Sequence, residues 1–574
     1  MAPLIELCAR RGFVYPGSSI YGGYASTFDY GPLGSQLKKN ILDAWWKDFV
    51  ELRPECVGLD TPIIINPAVW HASGHVEEFT DPLVQCNACN HRTRADKLLE
   101  DVYDVPPDTV AASINNGGMP ALSAELSRVG ATCPMCNSSD WGEPANFNLL
   151  FETAVGTAPM VPTATASNET NATEKGSEGN EGSDSGVSGG VGGGSHNSSN
   201  SNNHSTSTTS TTSTTSTTTS TTSTTSTTSN TAYLRPETAQ GAYINFANVM
   251  QSTRKRLPLG IGQIGKAFRN EISPGKSFLF RTREFELMEL QWFIKDDPKD
   301  AKKWYLYWVK TCLQWLEKHG VDQTMVRARE HHTDEVAHYA KATTDIEFNF
   351  PGLGWGELWG IADRGTYDIE QHINTISEGS EPTTQGTEHV ELSAKKQKKR
   401  QKKIDKRKKS HPLLYLDPTT GQRHVPRVIE PALGLTRVFL AVLSSAMHVE
   451  SVPATEEGEE PTSRTVLRLH PRLAPVKVAV LPLLKNRSDL VELAEQVHVQ
   501  LASRFACELD ATGSIGKRYR KQDEIGTPLC VTVDVDSLSD DAATLRDRDS
   551  LRQVRLSLKE IENSSLDELL RHFE

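Results

Sequence analysis

Sixty-nine consecutive residues, Thr163 to Thr231, contain no Leu, Ile, Met, Phe, Tyr or Trp and finish in a Ser/Thr run that begins at Ser205. A segment with no large apolar side chains cannot bury enough surface to offset the entropy of ordering it, so this tract is expected to be disordered. Sequons within it, such as Asn168-Glu-Thr, matter only in a secreted protein. Sequence of globular character resumes at once with Tyr233-Leu-Arg-Pro-Glu, so the tract (157–231 with its approach) reads as an insertion looped out of a folded domain.

A second break, Ile376 to His411, carries the basic blocks Lys395-Lys-Gln-Lys-Lys-Arg-Gln-Lys-Lys and Lys406-Arg-Lys-Lys. Like charges this dense repel and stay solvated; a solvated loop is the plain reading, with an RNA-phosphate contact or a nuclear-import signal as alternatives. A third linker is expected near Pro453–Arg464, around the acidic Glu456-Glu-Gly-Glu-Glu. Between the breaks, Ile41–Leu52, Ala301–His319 and Val438–Met447 read as helices. Trp304, Trp308, Cys312 and Trp315 recur at helical spacing, which argues core packing, and Gly320 is placed to stop that helix. The Val-rich runs Val476–Leu484 and Leu529–Val535 read as strands with a helix, Asp489–Phe505, between them. The fold class is therefore α+β: a larger mixed domain over 1–470, then an α/β domain over 472–574.

The chain has 61 basic and 73 acidic side chains, a net charge of −12, which argues against a protein coated by nucleic acid but not against one local basic face. No apolar stretch reaches the roughly 18–20 residues of a bilayer crossing, and MAPLIELCAR is too short and polar for a secretory signal. Nine cysteines, mostly scattered, suit a reducing compartment better than a disulfide framework. Four of them form Cys86-Asn-Ala-Cys89 and Cys133-Pro-Met-Cys136, two knuckles that predict a four-thiolate structural zinc site in an insertion over 80–145. With 43 residues between the pairs, four free thiols are the alternative. Cysteines 8, 56, 312, 507 and 530 read as small core residues.

The segment Gly260–Phe293 places Arg269, Glu271, Arg281, Arg283, Glu284 and Glu289 between and beside two apolar strands. Guanidinium groups aimed by a sheet make a rigid clamp for phosphate; a surface salt-bridge network is the competing reading. Gly-Ile-Gly-Gln-Ile-Gly imitates a dinucleotide fingerprint, but no helix follows it, so the match is spurious.

These residues carry a resemblance. Arg269-Asn-Glu followed by Phe280-Arg-Thr-Arg-Glu-Phe resembles motif 2 of the class II aminoacyl-tRNA synthetases, Gly434-Leu-Thr-Arg437 resembles motif 3, and Gly31-Pro-Leu-Gly with Trp45-Trp46 resembles motif 1. Tyr233-Leu-Arg-Pro-Glu-Thr-Ala-Gln-Gly241, Thr344-Asp-Ile-Glu347, Trp355-Gly-Glu-Leu-Trp-Gly-Ile-Ala362 and Gly513-Ser-Ile-Gly-Lys-Arg-Tyr-Arg520 are similar to the bacterial-type single-chain glycyl-tRNA synthetases. The resemblance implies an antiparallel catalytic sheet flanked by helices, with a C-terminal anticodon-binding domain. It further implies ATP, magnesium, glycine and tRNA(Gly) as substrates or partners, a cytoplasmic homodimer, and no part for DNA or a membrane. An organelle is the alternative location.

It also implies residue roles. Arg269 and Arg437 would be catalytic, holding the α- and γ-phosphates. Glu271 would accept from the adenine amino group and Phe285 stack on the purine. Asn270, the stretch Phe280, Arg281, Thr282, Arg283 and Glu284, then Glu357, Leu358, Gly434, Leu435 and Thr436 would complete the ATP site. Glycine would be held by Glu237, Glu289 and Glu430, with Arg94 and Arg364 nearby and the stretches Phe285, Glu286, Leu287, Met288 and Pro431, Ala432, Leu433, Gly434 around it. Carboxylates would pair with its ammonium while their bulk excludes a methyl group. The family's Glu-Pro-Ser is here Glu430-Pro-Ala432, its Asp before the motif 3 arginine is Thr436, Lys97 replaces a frequent His, and the motif 2 loop is one residue longer. Lys517, Arg518, Tyr519 and Arg520 would contact tRNA, against the plain reading of a solvated basic loop. A non-catalytic, synthetase-like RNA-binding or polymerase-accessory protein is the rival; such proteins lose the motif arginines that this chain keeps.

Overall fold

The computed structural model describes residues 1–155, 231–271, 278–331, 340–378, 394–452 and 462–574. The Ser/Thr-rich tract, the acidic Glu456 cluster and the 272–277 part of the arginine-rich loop lie outside the described residues. Two units separate, Met1–Thr153 with Thr231–Glu574, and Ala154–Asn230. The strands on either side of the tract, Phe151–Ala154 and Thr231–Leu234, are hydrogen-bonded neighbours, so the chain leaves and re-enters the fold at one place.

A seven-stranded sheet organises the first unit. Its strands are Cys56–Gly58 (β1), Leu259–Phe268 (β2), Glu284–Ile294 (β3), Val326–Glu330 (β4), Ala342–Phe350 (β5), Gly354–Gly365 (β6) and Arg427–Gly434 (β7). Their spatial order is β4-β5-β6-β7-β3-β2-β1, antiparallel throughout except that β1 runs parallel to β2. Among the described helices that accompany it are Pro32–Trp46 (α1), Ala239–Thr253 (α2), Pro298–Lys318 (α3), Tyr367–Glu378 (α4), Ala394–Lys409 (α5) and Leu435–Ala446 (α6). Because side chains alternate along a strand, β3 serves two cores. Met288, Leu290 and Trp292 pack with Ile41 and Trp45 of α1, Trp308 and Trp315 of α3 and Phe439 of α6. Phe293 packs the other way, with Tyr243 and Phe246 of α2 and Ile369 of α4. The Trp308, Cys312 and Trp315 stripe is fully buried, and truncating Trp308 would cost about 3–5 kcal/mol.

Local signals explain the element bounds. The helix expected over Ile41–Leu52 starts earlier, at Pro32, because proline fits a first helical turn, and it continues as a π-helical turn over Lys47–Glu51. Asp297 caps α3 by accepting from the Lys299 and Asp300 amides at 2.9 and 3.0 Å, and Gly320 ends it at φ +78°. The glycines of the false dinucleotide fingerprint lie on β2 for another reason: a methyl group at Gly262 would overlap Val50, and one at Gly265 would overlap the Arg235 guanidinium.

Two expected linkers are corrected. The basic segment is not a loop where described: α5 is helical from Ala394, built from the good helix formers Lys, Arg and Gln. Its end is held to α4 by Arg407, which donates to the Ser377 carbonyl at 3.4 Å, and by Lys408–Glu378 at 3.1 Å. The described part of the third break is a strand: Thr462–Leu467 pairs with Met447–Val452, and buried Arg464 meets Asp523 at 2.9 Å.

The C-terminal stretch has a sheet and core of its own. Strands Val478–Pro482 (β8), Cys507–Leu509 (β9), Leu529–Val533 (β10), Ala542–Asp547 (β11) and Gln553–Ser557 (β12) lie in the order β9-β8-β10-β11-β12. Helices Ser488–Ala502 (α7) and Ile515–Ile525 (α8) accompany them; Leu490 and Val497 of α7 bury against Val480, Val531 and Leu545. A further small module has three strands, Arg92–Arg94, Thr80–Gln85 and Ala145–Asn148, and the helices Ala95–Tyr103 and Pro107–Arg128 over a core that includes Val84, Leu99 and Leu126.

Candidate active site

The β2–β3 hairpin carries the arginine-rich loop, and β3 pairs with β7, whose last residue, Gly434, is the N-cap of α6. This geometry opens one cavity lined by Arg269, Glu271, Phe280, Arg281, Thr282, Phe285, Leu287, Glu289, Glu357, Leu358, Ala432, Gly434, Thr436 and Arg437. The two arginines that begin motif 2 and end motif 3 therefore face a shared space. Arg269 is steadied by the Pro236 carbonyl at 3.2 Å and lies 5.5 Å from the Phe285 ring centroid. Arg437 donates to the carbonyl and the carboxylate of Glu357, both at 2.9 Å, and sits over Phe280 at 4.8 Å. Partial burial opposes ionisation of Glu357, but Arg437 and Arg269 outweigh it and hold the carboxyl below its ordinary range. Arg281 faces Glu271 at 3.6 Å. The hydroxyl of Thr282 is buried with no partner among the described residues.

Deeper in, β3, β6, β7 and the Thr238–Ala239 start of α2 converge on a cluster of carboxylates. Arg364 is its hub. The guanidinium forms a two-pronged pair with Asp368 (2.9 and 3.0 Å), meets Glu430 at 2.8 Å and approaches Glu237 at 3.7 Å. Glu430 also accepts from Gln291 at 2.6 Å. Glu289 accepts from the Thr238 amide and hydroxyl at 3.0 and 2.5 Å, and Glu237 lies 3.6 Å from His75 and accepts from Gln240 at 2.9 Å. Burial pushes the Glu289 carboxyl up, Glu430 and Glu237 add to it, and the result is about 8. Burial raises Glu430 as well, against the pull of Arg364. For Glu237 burial is outweighed by Arg364 and His75, so its carboxyl is held far below the usual range. The cluster is short of positive charge.

Strand alternation sorts the expected residues. Phe285, Leu287 and Glu289 line the cavity, whereas Glu284 pairs with Lys266, Glu286 with Lys38, and Met288 is core; their side chains face away. On β7 Ala432 and Gly434 line the cavity and Glu430 shares their face, while Pro431 and Leu433 point to the other; Leu433 and Leu435 are core. Asn270 is tied by its amide to the Leu149 carbonyl at 2.8 Å, and Arg283 donates to the Glu271 carbonyl at 3.4 Å without lining the cavity. Arg94, expected near the carboxylate cluster, is held instead by Asp81 at 3.0 Å and Asp96 at 2.5 Å, in the electrostatic reach of Glu271.

The C-terminal quartet splits. Lys517 and Arg520 are exposed on α8. Arg518 is buried and donates to the carbonyls of Pro482, Asp510 and Leu483 at 2.6, 3.1 and 3.2 Å; Tyr519 is half-buried with its hydroxyl 2.5 Å from Thr532. The competing plain reading, a solvated basic loop, gives way to a helix, and of the cations expected to contact tRNA Arg518 turns inward as a brace between strands. The residues that sequence reasoning missed are Thr238, Gln291, Asp368 and His75. Thr238 was within reach, being inside the Glu237-Thr-Ala-Gln stretch, and Asp368 stands four residues after Arg364; Gln291 and His75 act through distant positions and carry no local signal.

The four knuckle cysteines gather, with Cys86–Cys136 and Cys89–Cys133 sulfurs 3.6 Å apart and all four within 4.8 Å. Thiolates around zinc at about 2.3 Å stand about 3.8 Å apart in a tetrahedron, so the donor set and spacing fit that ion. Both knuckles share a backbone pattern: the amide of Asn90 bonds the Cys86 carbonyl and that of Asn137 the Cys133 carbonyl, with both asparagines at positive φ.

Two family models match. Residues 223–446 fit the tRNA synthetase class II core domain (G, H, P, S and T), and residues 477–566 the anticodon binding domain. Among curated relatives, the chain is 41% identical over 562 residues to the Glycine--tRNA ligase of Bacillus thuringiensis subsp. konkukian, covering 98% of this chain and 97% of the relative. It is 40% identical over 561 residues to that of Lachnoclostridium phytofermentans, with the same coverage. The ligase of Acetivibrio thermocellus matches at 40% over 574 residues, 100% of this chain and 98% of the relative.

Proposed function

The chain belongs to the single-chain glycine–tRNA ligases of class II, and from that membership we propose how its residues divide the work of making and transferring a glycyl-adenylate. Arg269 binds the α-phosphate and the glycine carboxylate, and Arg437 the γ-phosphate, from the amino end of α6, where the helix dipole also favours anions. The glycine carboxylate oxygen attacks the α-phosphorus, the bond to the β-phosphate oxygen breaks, and pyrophosphate leaves. The terminal ribose hydroxyl of tRNA then attacks the glycyl carbonyl and AMP leaves. In-line displacement needs alignment and charge neutralisation more than a covalent nucleophile, which suits a site built of guanidiniums. Glu271 takes the adenine amino group, and Thr282 lines the same cavity. Magnesium bound to the phosphates would supply further neutralisation, with Glu357 the carboxylate placed to support it.

Glu237, Glu289 and Glu430 receive the ammonium of glycine, and the bulk of these carboxylates would exclude a methyl group. Zinc, held by Cys86, Cys89, Cys133 and Cys136, would serve structure only, since it lies in the separate three-stranded module. A homodimer acting in the cytosol or an organelle completes the proposal, supported by the motif 1 resemblance and by nine cysteines outside any disulfide.

The observation that carries this reading is the common cavity of Arg269, Arg437 and Glu289. ATP–pyrophosphate exchange, run with glycine, alanine and serine in parallel, tests it. Exchange driven by glycine alone is expected; exchange indifferent to the amino acid would sink the assignment of the carboxylates.

A further inference from the structure

The ligase reading leaves α5 without a role, although its basic blocks are the densest run of charge in the chain. We propose that α5 is an RNA-backbone grip on the catalytic side of the molecule, holding the phosphates of tRNA near its aminoacylated end, separately from the anticodon-binding domain; the proposal rests on the ligase reading.

Eleven of the sixteen residues of α5 are Lys or Arg and one is acidic. At about 1.5 Å per residue the helix is about 24 Å long, one net positive charge per about 2.4 Å, which approaches the one phosphate charge per about 1.7 Å of a duplex. Lys398, Lys399, Arg400, Lys402, Lys403 and Lys406 are exposed, and among the described residues no ion pair holds them. A merely solvated surface helix mixes its signs. Here Lys398 and Lys402, Lys399 and Lys403, and Lys402 and Lys406 stand four apart, so like charges face each other along the helix and weaken it. A polyanion laid along this face relieves that repulsion.

Position selects which part of an RNA. The carboxyl end of α5 is fastened to the carboxyl end of α4 through Arg407–Ser377 and Lys408–Glu378. The amino end of α4 carries Asp368, the partner of Arg364 in the carboxylate cluster. One twelve-residue helix, about 18 Å, therefore separates the anchored end of α5 from the amino-acid pocket. An RNA whose terminal ribose reaches that pocket has its acceptor arm within this distance.

The test uses the full chain with those six exposed cations replaced by Gln, and filter binding of a tRNA(Gly) transcript between 50 and 200 mM salt. Each phosphate contact contributes a slope of about 0.7–0.9 to the fall of log affinity with log salt. The substituted protein is expected to lose about 2–4 of that slope and at least tenfold in affinity at about 50 mM salt. It should lose as much for an acceptor-arm hairpin and nothing for an anticodon-arm hairpin. Glycine-dependent ATP–pyrophosphate exchange, which needs no RNA, should stay within about twofold. An unchanged slope and affinity, as a helix serving only protein recognition would give, overturns the proposal, and so does an equal loss on the anticodon hairpin. Failure of exchange in the unsubstituted chain would overturn the ligase reading as well, and so is told apart from either.

Discussion

Three buried carboxylates, Glu289, Glu430 and Asp368, and the half-buried Glu237 surround the Arg364 guanidinium, which pairs directly with all but Glu289. Like charges at this density cannot all ionise in a dry pocket, and the proton rests on Glu289, raised to about 8. On the proposed assignment, glycine brings the missing cation. Its ammonium favours the ionised carboxylate, so binding at neutral pH expels a proton, and KM for glycine should fall up to tenfold per unit as pH rises from about 6.5 toward 8. A flat KM across that window would contradict the assignment. The stability consequence has the matching sign. A carboxyl raised from an ordinary 4.5 to about 8 keeps a proton that the unfolded chain has released, so its stabilisation is full below pH 4.5 and is lost as pH climbs to 8. Added glycine should accordingly raise the melting temperature more at pH 8 than at pH 6. On the phosphate side, Arg269→Ala or Arg437→Ala should each lower glycine-driven exchange by about 10²–10³, while the folded fraction, followed by circular dichroism, stays the same. The anchoring arginines were legible because motif and chemistry coincide in a few contiguous residues. Arg518 was misread since nothing in Gly516-Lys-Arg-Tyr-Arg tells a cation that meets solvent from one that ties carbonyls together. Arg518→Ala should destabilise the chain by about 3 kcal/mol in denaturant titration, whereas Lys517→Ala should leave stability alone and weaken tRNA binding.

Elements were readable where pattern and tertiary demand agree. The α3 stripe and the Val-rich β8 and β10 kept their expected type because each buries the face that its periodicity marks out. Bounds shifted where a local device outranked periodicity, as Pro32 did for α1. The basic helix α5 fails both kinds of reading: it has no apolar face to reveal a period, only helix-forming residues and two tethers to α4. Gln291 was invisible for a related reason, since it gains its meaning from Glu430, which the sheet brings over from another strand, whereas Asp368 meets Arg364 only four residues earlier in the chain. The knuckle module is the opposite case, one that the proposed zinc would set through its ligands. Its core is small, and the helical stretches Ala95–Tyr103 and Pro107–Arg128, the latter kinked at Gly118, lie between the cysteine pairs, so metal binding and folding should be coupled there. Purified protein is expected to hold about one zinc per chain. Chelation should speed amide exchange across Ala95–Tyr103 and Pro107–Arg128 while β2, β3 and β7 stay protected. Less than half an equivalent of metal, or exchange that rises evenly over the sheet, would rule this out.

At the scale of the whole molecule the question is how a ligase tolerates so long a tract inside its catalytic half. The strands that flank it are already hydrogen-bonded to each other, so the fold fixes both ends and asks nothing of the sequence between. Closing a flexible loop becomes only slowly more costly with length: shortening one from about 76 residues to about six recovers roughly 2 kcal/mol of closure entropy. Deleting residues 160–229 should therefore leave kcat/KM for aminoacylation within about twofold and should raise the melting temperature, not lower it, if the tract is as unfolded as its composition predicts. The same deletion separates two kinds of failure. A chain that melts earlier but still aminoacylates would mean that the tract packs against the fold. One that melts as expected but no longer charges tRNA, while exchange with glycine persists, would mean that the tract helps to hold RNA and that α5 does not act alone.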